Sequence, residues 1–246
     1  MAIVRWILLL ACWPLWLTVA YANPFYAPPP PQEDAPVFSG DAELGFTRLS
    51  GNSQTLIGKT LLTWLTGNFT YSLRGEVRNV TKDDKTSAEQ YLVAGRERYE
   101  LDGPHYLFGF ARWEKDRFAG YDQQLSAIGG YGRQILENDT HVFSLEAGPG
   151  YRHDRLREHG DYRLAVAYTA LDYQWFFSDY ADIQQEMSFE YTDQNTTSRS
   201  LTALTARLNS KLSLRLSHEI KHNSQPPDDT SERTDNTTSA SLLYRW

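Results

Sequence analysis

The sequence predicts an all-β fold: an antiparallel transmembrane β-barrel of about twelve strands, with short periplasmic turns and longer outer loops. Three observations carry this. From Phe38 onward polar and apolar residues alternate with period two, and no helical period competes. Tight turn signals take turns with longer polar connections along the chain. Aromatic residues, 13% of the chain, gather at strand ends although the mean hydropathy is negative. Such hydropathy excludes a bundle of membrane helices. It is compatible with a barrel, in which only every second strand residue meets lipid.

The chain begins with an export signal. Met1 to Ala22 holds one positive charge at Arg5, an apolar run from Ile7 to Ala20 and the small-x-small motif Ala20-Tyr21-Ala22. This describes a secretory signal peptide cleaved after Ala22. Pro14 and the shortness of the run argue against an anchor helix. The apolar stretch continues past Cys12, which argues against lipoprotein processing there. The mature chain then has 224 residues (246 − 22) and lacks cysteine, so it has no disulfide, thiolate nucleophile or cysteine metal site. Residues 23–37, with Pro28 to Pro31 in a row, read as a disordered leader. The barrel domain follows over 38–246.

Candidate strands fall near 38–50, 54–66, 69–79, 88–100, 105–116, 121–135, 141–152, 162–176, 182–192, 199–208, 211–222 and 236–246. In the third, Phe69, Tyr71, Leu73, Gly75 and Val77 oppose Thr70, Ser72, Arg74, Glu76 and Arg78. In the seventh, Phe143, Leu145, Ala147, Pro149 and Tyr151 oppose Ser144, Glu146, Gly148, Gly150 and Arg152. The ninth sets Ile183, Gln185, Met187, Phe189 and Tyr191 against Gln184, Glu186, Ser188 and Glu190. In the eleventh, Leu212, Leu214, Leu216 and Ile220 oppose Ser213, Arg215, Ser217, Glu219 and Lys221. The last sets Ala240, Leu242, Tyr244 and Trp246 against Ser239, Ser241 and Arg245. Two strands, 105–116 and 162–176, are apolar on both faces, and their register stays open.

Turn signals stand at Gly67-Asn68, Asp102-Gly103-Pro104, Glu137-Asn138-Asp139, Ser178-Asp179 and Asn209-Ser210. Most of the connections between them are longer and polar: Val80–Ser87, His153–Asp161, Asp193–Ser198 and Asn223–Asp235. Trp64, Trp175, Phe176 and Trp246 lie beside the tight turns, where an interfacial girdle belongs, while Trp113 and Tyr121 mark the opposite rim. In a soluble sandwich the same aromatics would form a core. Loop alternation and aromatic placement favour the membrane barrel.

The chain closes on Leu242-Leu243-Tyr244-Arg245-Trp246, with Leu242, Tyr244 and Trp246 on one face. This resembles the C-terminal signal by which bacterial outer-membrane barrels are recognised for assembly, with Trp where Phe is commoner. Three further stretches carry a resemblance: Asp116-Arg117-Phe118-Ala119-Gly120-Tyr121-Asp122, Glu146-Ala147-Gly148-Pro149-Gly150-Tyr151-Arg152, and Asn223-Ser224 followed by Pro226-Pro227. Together they are similar to the YdiY-like family of salt-induced outer-membrane proteins, a family of unknown function, over roughly residues 38–246. The resemblance implies a Gram-negative outer-membrane location, a barrel-assembly machinery as partner during biogenesis, and a link to envelope or osmotic stress. It carries over no catalytic or ligand residue.

The net charge of −7 argues against nucleic acid as a partner, since no basic stripe is present. The expected surroundings are outer-membrane lipids and lipopolysaccharide, with the protein as a monomer. No HExxH, CxxC or Gly-rich phosphate loop occurs, and neither metal nor cofactor is expected. The charged residues of the inner faces, Arg74, Glu76, Arg78, Glu146, Arg152, Glu186, Glu190, Arg215 and Glu219, with Asp41, Glu43, Arg207, Lys221 and Arg245, are expected to line the lumen. Both signs occur in similar numbers. A selective pore presents a ring of one sign, so a mixed lining predicts cross-lumen ion pairs and a narrow or closed interior.

A second functional reading is a lipid hydrolase. His222 and Ser224 are two apart on the lipid-facing parity, and Asp228 or Asp229 would have to complete a triad. A strand running into a polar loop explains the same residues. The acidic loop from Asp228 to Asp235 also offers oxygen ligands for divalent cations near lipopolysaccharide, although a solvated loop is the simpler reading.

Overall fold

The computed structural model describes residues 37–49, 53–82, 85–116, 121–156, 160–226 and 233–246. The expected signal segment, all but Val37 of the expected leader, and most of the acidic loop from Asp228 lie outside the described residues.

Twelve strands follow one another: β1 (Phe38–Leu49), β2 (Ser53–Thr66), β3 (Phe69–Lys82), β4 (Lys85–Glu100), β5 (His105–Asp116) and β6 (Tyr121–Glu137), then β7 (His141–Leu156), β8 (Asp161–Ser178), β9 (Ala181–Tyr191), β10 (Thr196–Arg207), β11 (Leu212–Asn223) and β12 (Thr234–Arg245). Each pairs antiparallel with its neighbours in sequence, and β1 pairs with β12, so the sheet closes on itself. Closure leaves no outer edge strand and satisfies the backbone within the wall, as a lipid environment demands.

All twelve expected strands are present, but several run further than the sequence predicted. β3 and β4 continue their ladder to Lys82↔Lys85, so most of the segment Val80–Ser87 is hairpin rather than loop. β7 and β8 likewise pair up to Arg155↔Asp161. Polar side chains there hid strand backbone, because the ladder depends on main-chain groups and not on hydrophobicity. The connections at this loop end remain longer on the whole than those at the opposite, turn end, chiefly through 224–233. At the turn end, Asn138 Oδ1 accepts from the N–H groups of Thr140 and His141, and Asn209 Oδ1 accepts from those of Lys211 and Leu212. Asn side chains here mimic a backbone turn.

Burial is inverted relative to a water-soluble fold. Arg74, Glu76 and Arg78 are buried on the inner face of β3, while Leu73 and Val77 on its outer face are exposed. Leu44, 71% exposed, and Leu56, 58% exposed, show that the outer wall is built to meet something other than water. The two strands of open register are now settled. β5 turns Tyr106, Phe108, Phe110 and Arg112 inward, and β8 does the same with Leu164, Val166 and Tyr168.

Outward aromatics ring the turn end: Phe38 packs on Trp64 (5.4 Å), Phe69 on Tyr99 (4.7 Å), and Tyr244 on Trp246 (5.8 Å). Two aromatic placements differ from the sequence reading. Phe177, two residues on from Trp175, shares its outward parity and takes the girdle position, while Phe176 has the inner parity of Tyr168 and is half-buried. Tyr121 is buried rather than part of a rim, because the register shifts between Tyr121 and Gln123. A bulge reverses inside and outside, and alternation alone does not announce it.

Candidate functional site

Among the described residues the fold gathers its chemistry in the lumen, and three groups of side chains fill it. The first is apolar. Leu92, Ala94, Tyr106, Phe108, Phe110, Ile128, Val166 and Tyr168 form a buried cluster on the inside of β4–β8. Tyr168 meets Phe110 edge to face at 5.4 Å and Phe108 at 5.8 Å. Arginines border this wedge: the Arg98 guanidinium lies 3.6 Å from the centre of the Tyr106 ring, and that of Arg96 lies 5.1 Å from the Phe108 ring. Arg96 also pairs with Glu146, which accepts a 3.0 Å bond from the Tyr106 hydroxyl.

The second group lies toward the loop end. Glu190, with no exposure, accepts from Arg112 at 2.6 Å and has Arg152 and Arg199 within 3.8 and 3.9 Å. Arg199 also makes a two-pronged bond to Glu114 at 2.8 and 2.6 Å. Since β5 and β10 stand nearly opposite in a ring of twelve strands, the Arg199–Glu114 pair crosses the bore. Asp154 accepts from Arg152 at 3.1 Å and from Gln124 at 3.1 Å.

The third group bridges β2, β3 and β11. Glu219 pairs with both Lys59 and Arg78, and Glu76 takes Arg74 at 3.0 Å and Arg78 at 3.3 Å. A cavity of about 650 Å³, open to solvent, lies on the turn side of this cluster against Lys59, Arg74 and Arg245. Another of about 510 Å³ lies on the loop side against Glu76, Arg78 and Lys221. The cluster is the partition between two vestibules. Beside it Asp172 and Glu186 face each other across β8 and β9, and Gln184 donates to both, at 3.4 and 2.9 Å. Arg215 donates to the Gln184 oxygen at 2.8 Å.

The nine residues expected in the lumen all project from inner faces, eight of them buried and Arg215 half-buried. Further charged groups of the interior were missed, among them Lys59, Arg96, Arg98, Arg112, Glu114, Asp154, Asp172 and Arg199. For Arg96 and Arg98 the signal was available, since they share a parity in β4 with Leu92 and Ala94 against Tyr91 and Val93. For Arg112, Glu114 and Asp172 it was not, because both faces of β5 and β8 are apolar over much of their length.

His222 and Ser224 have separate tasks. The His222 ring is bonded to the Thr234 hydroxyl at 2.9 Å. The Ser224 hydroxyl accepts from the Thr196 N–H at 2.9 Å and donates to Asn195 Oδ1 at 3.1 Å. No bond joins the two residues among those described, and Ser224 braces the loop. Asp228 and Asp229, the acids that a triad would need, lie outside the described residues. Among the described residues no three His, Cys, Asp or Glu side chains converge as metal ligands.

A closed antiparallel meander with an apolar outer wall, an aromatic girdle and a charged interior defines the outer-membrane class of β-barrel. Among solved structures, the NanC porin superposes with a TM-score of 0.51 over 84% of this chain and 97% of that one, at 8% identity, a likeness of fold alone. The KdgM porin gives 0.48 over 84% and 98%, at 12% identity. The chain belongs to the family described as "Protein of unknown function, DUF481", whose model matches residues 42–246. It is 34% identical over 209 residues to the uncharacterized protein YdiY of Escherichia coli (strain K12), which covers 84% of this chain and 82% of that protein.

Proposed function

We propose that the chain is a non-enzymatic barrel of the Gram-negative outer membrane, structural or at most a narrow pore, and not a general porin. One observation carries this: side chains from opposite walls, Arg199 of β10 and Glu114 of β5, meet across the bore while Phe108, Phe110 and Tyr168 fill the space beside them. Twelve strands enclose a modest lumen, and long side chains suffice to occupy it. Opposite charges set in contact, rather than a ring of one sign, support a plug and not a selectivity filter.

In this reading residues 1–22 are the export signal, so the mature protein begins at Asn23, which its intact mass checks. The turn end is periplasmic. The outward Leu242, Tyr244 and Trp246, 40–46% exposed, support recognition by the barrel-assembly machinery. A role in envelope salt stress is proposed on the family label alone, and growth of a deletion strain at high salt tests it. Single-channel recording of the full-length protein in planar bilayers tests the closed lumen: silence or rare small steps are expected. Steady large currents would overturn the reading.

A further inference from the structure

The outer wall is not uniformly apolar. On β1 to β4 the outward positions of the membrane band include Phe46, Leu56, Val77 and Val93, each about half exposed. Met187, Phe189 and Tyr191 carry β9 toward the loops, but the outward row Gln185, Thr202, His218 and Thr238, paired across the ladders of β9 to β12, is polar, with the buried Ser200 beside it. They are bonded to one another: Gln185 donates to Ser200 at 2.9 Å, Thr202 donates to Gln185 at 2.5 Å, and the His218 ring bonds Thr238 at 2.7 Å. Leu204, Leu216 and Leu242, all exposed and outward, continue the wall toward the girdle.

This patch lies at membrane depth. A strand residue rises ~3.3 Å, or about 2.5 Å along the barrel axis at a tilt of ~40°. Thr238 is eight residues from Trp246 in the girdle, roughly 20 Å above it, within an apolar band of about 25 Å. Polar groups facing hydrocarbon are costly unless something satisfies them. The mutual bonds use one ring nitrogen of His218, so the other is left for a further partner.

We propose that this face is where a second copy of the chain packs, in place of the monomer the sequence suggested; the inference rests on the outer-membrane reading above. From β9 to β12 every Lys, Arg, Asp and Glu has the inward parity, so the face offers no cation to a lipid phosphate. It offers donors and acceptors together, and therefore complements itself about a two-fold axis. Ser and Thr are short enough to let two walls approach closely, and small and polar residues mark associating surfaces within membranes.

The test places Thr202→Cys in full-length protein carrying Cys12→Ser, and treats outer membranes with a short bis-maleimide. A band of two copies is expected for Thr202→Cys and none for Val93→Cys on the opposite wall. In mild detergent, light scattering should give two copies for the wild type. It should give one for the triple variant Thr202→Leu, His218→Leu, Thr238→Leu, whose unheated gel mobility reports whether the barrel is intact. A single copy in detergent with no Thr202→Cys dimer would overturn the inference. So would capture of a different, cysteine-bearing protein at that position. Fractionation keeps the two readings apart, since absence from the membrane sinks the location and a membrane-bound monomer sinks only the interface.

Discussion

The indole of Trp246 lies against Gly40, and the two residues exchange both backbone hydrogen bonds, each 3.1 Å long. A Cβ added to Gly40 would come within 2.3 Å of the ring. From this clasp the β1–β12 ladder continues through only five pairs, Asp41↔Arg245 to Gly45↔Ser241, whereas every other strand pair has ten or more. The last residue of the chain is thus one of few contacts that hold the barrel shut. Gly40→Leu should push the indole away and weaken closure by about 1–3 kcal/mol, the usual cost of overpacking. The urea midpoint of the barrel measures the loss. Adding Trp246→Ala to Gly40→Leu should cost less than the sum of the single changes, because the clash is then gone.

The same geometry recurs inside. The Tyr106 ring lies over Gly132 of β6, where a Cβ would stand 2.2 Å from it. Gly132→Val should displace the ring, break its 3.0 Å bond to Glu146 and destabilise the barrel by about 1–3 kcal/mol. Heat-modified gel mobility as a function of temperature reads this directly. Gly95, with nothing within 4 Å of an added Cβ, should accept alanine without loss.

What could be read from the sequence depended on chemical contrast between the two faces of a strand. In β3 and β9, Arg and Glu alternate with Leu, Val and Phe, so strand, register and inner face were all legible. In β5, Tyr106, Phe108 and Phe110 alternate with Leu107, Gly109 and Ala111, and both rows look apolar. The Tyr106 ring fits inside because Gly132 leaves room for it, a fact about a neighbouring strand. Tyr121 was misplaced for another reason, since it sits at a bulge that changes parity, whereas Phe176 keeps the inner parity of β8, which the apolar character of both faces hid. Ion pairing across the bore was foreseeable as a class. That Arg199 reaches Glu114 depends on which strands stand opposite, and closure decides that.

Glu190 holds three guanidiniums in a space without exposure. Glu190→Gln removes the charge and keeps the shape, leaving Arg112, Arg152 and Arg199 short of a counter-charge. Removing one partner from a buried ion network costs about 3–5 kcal/mol. Glu43→Gln should cost less: Glu43 faces Arg215 at 3.8 Å and accepts a 2.6 Å bond from Ser241 that an amide oxygen can also accept. Thermal unfolding of both variants in detergent provides the comparison, and equal losses would deny Glu190 its role as hub.

The wedge and the ion pairs make separable contributions to the plug. Phe108 and Phe110 project from one strand onto Tyr168, and no charged partner replaces their volume when they are truncated. A double variant Phe108→Ala, Phe110→Ala therefore empties the apolar side of the bore while Arg199–Glu114 and Glu190–Arg112 stay in place on the other. Cavities left by large-to-small changes collapse only partly, and here the void would connect with vestibules open to solvent. The expected outcome is frequent current steps in planar bilayers from a variant that still migrates as a folded barrel, set against a silent Leu44→Ala control on the outer wall. If the double variant is folded and equally silent, the ionic clusters alone close the lumen and the aromatic wedge serves only stability.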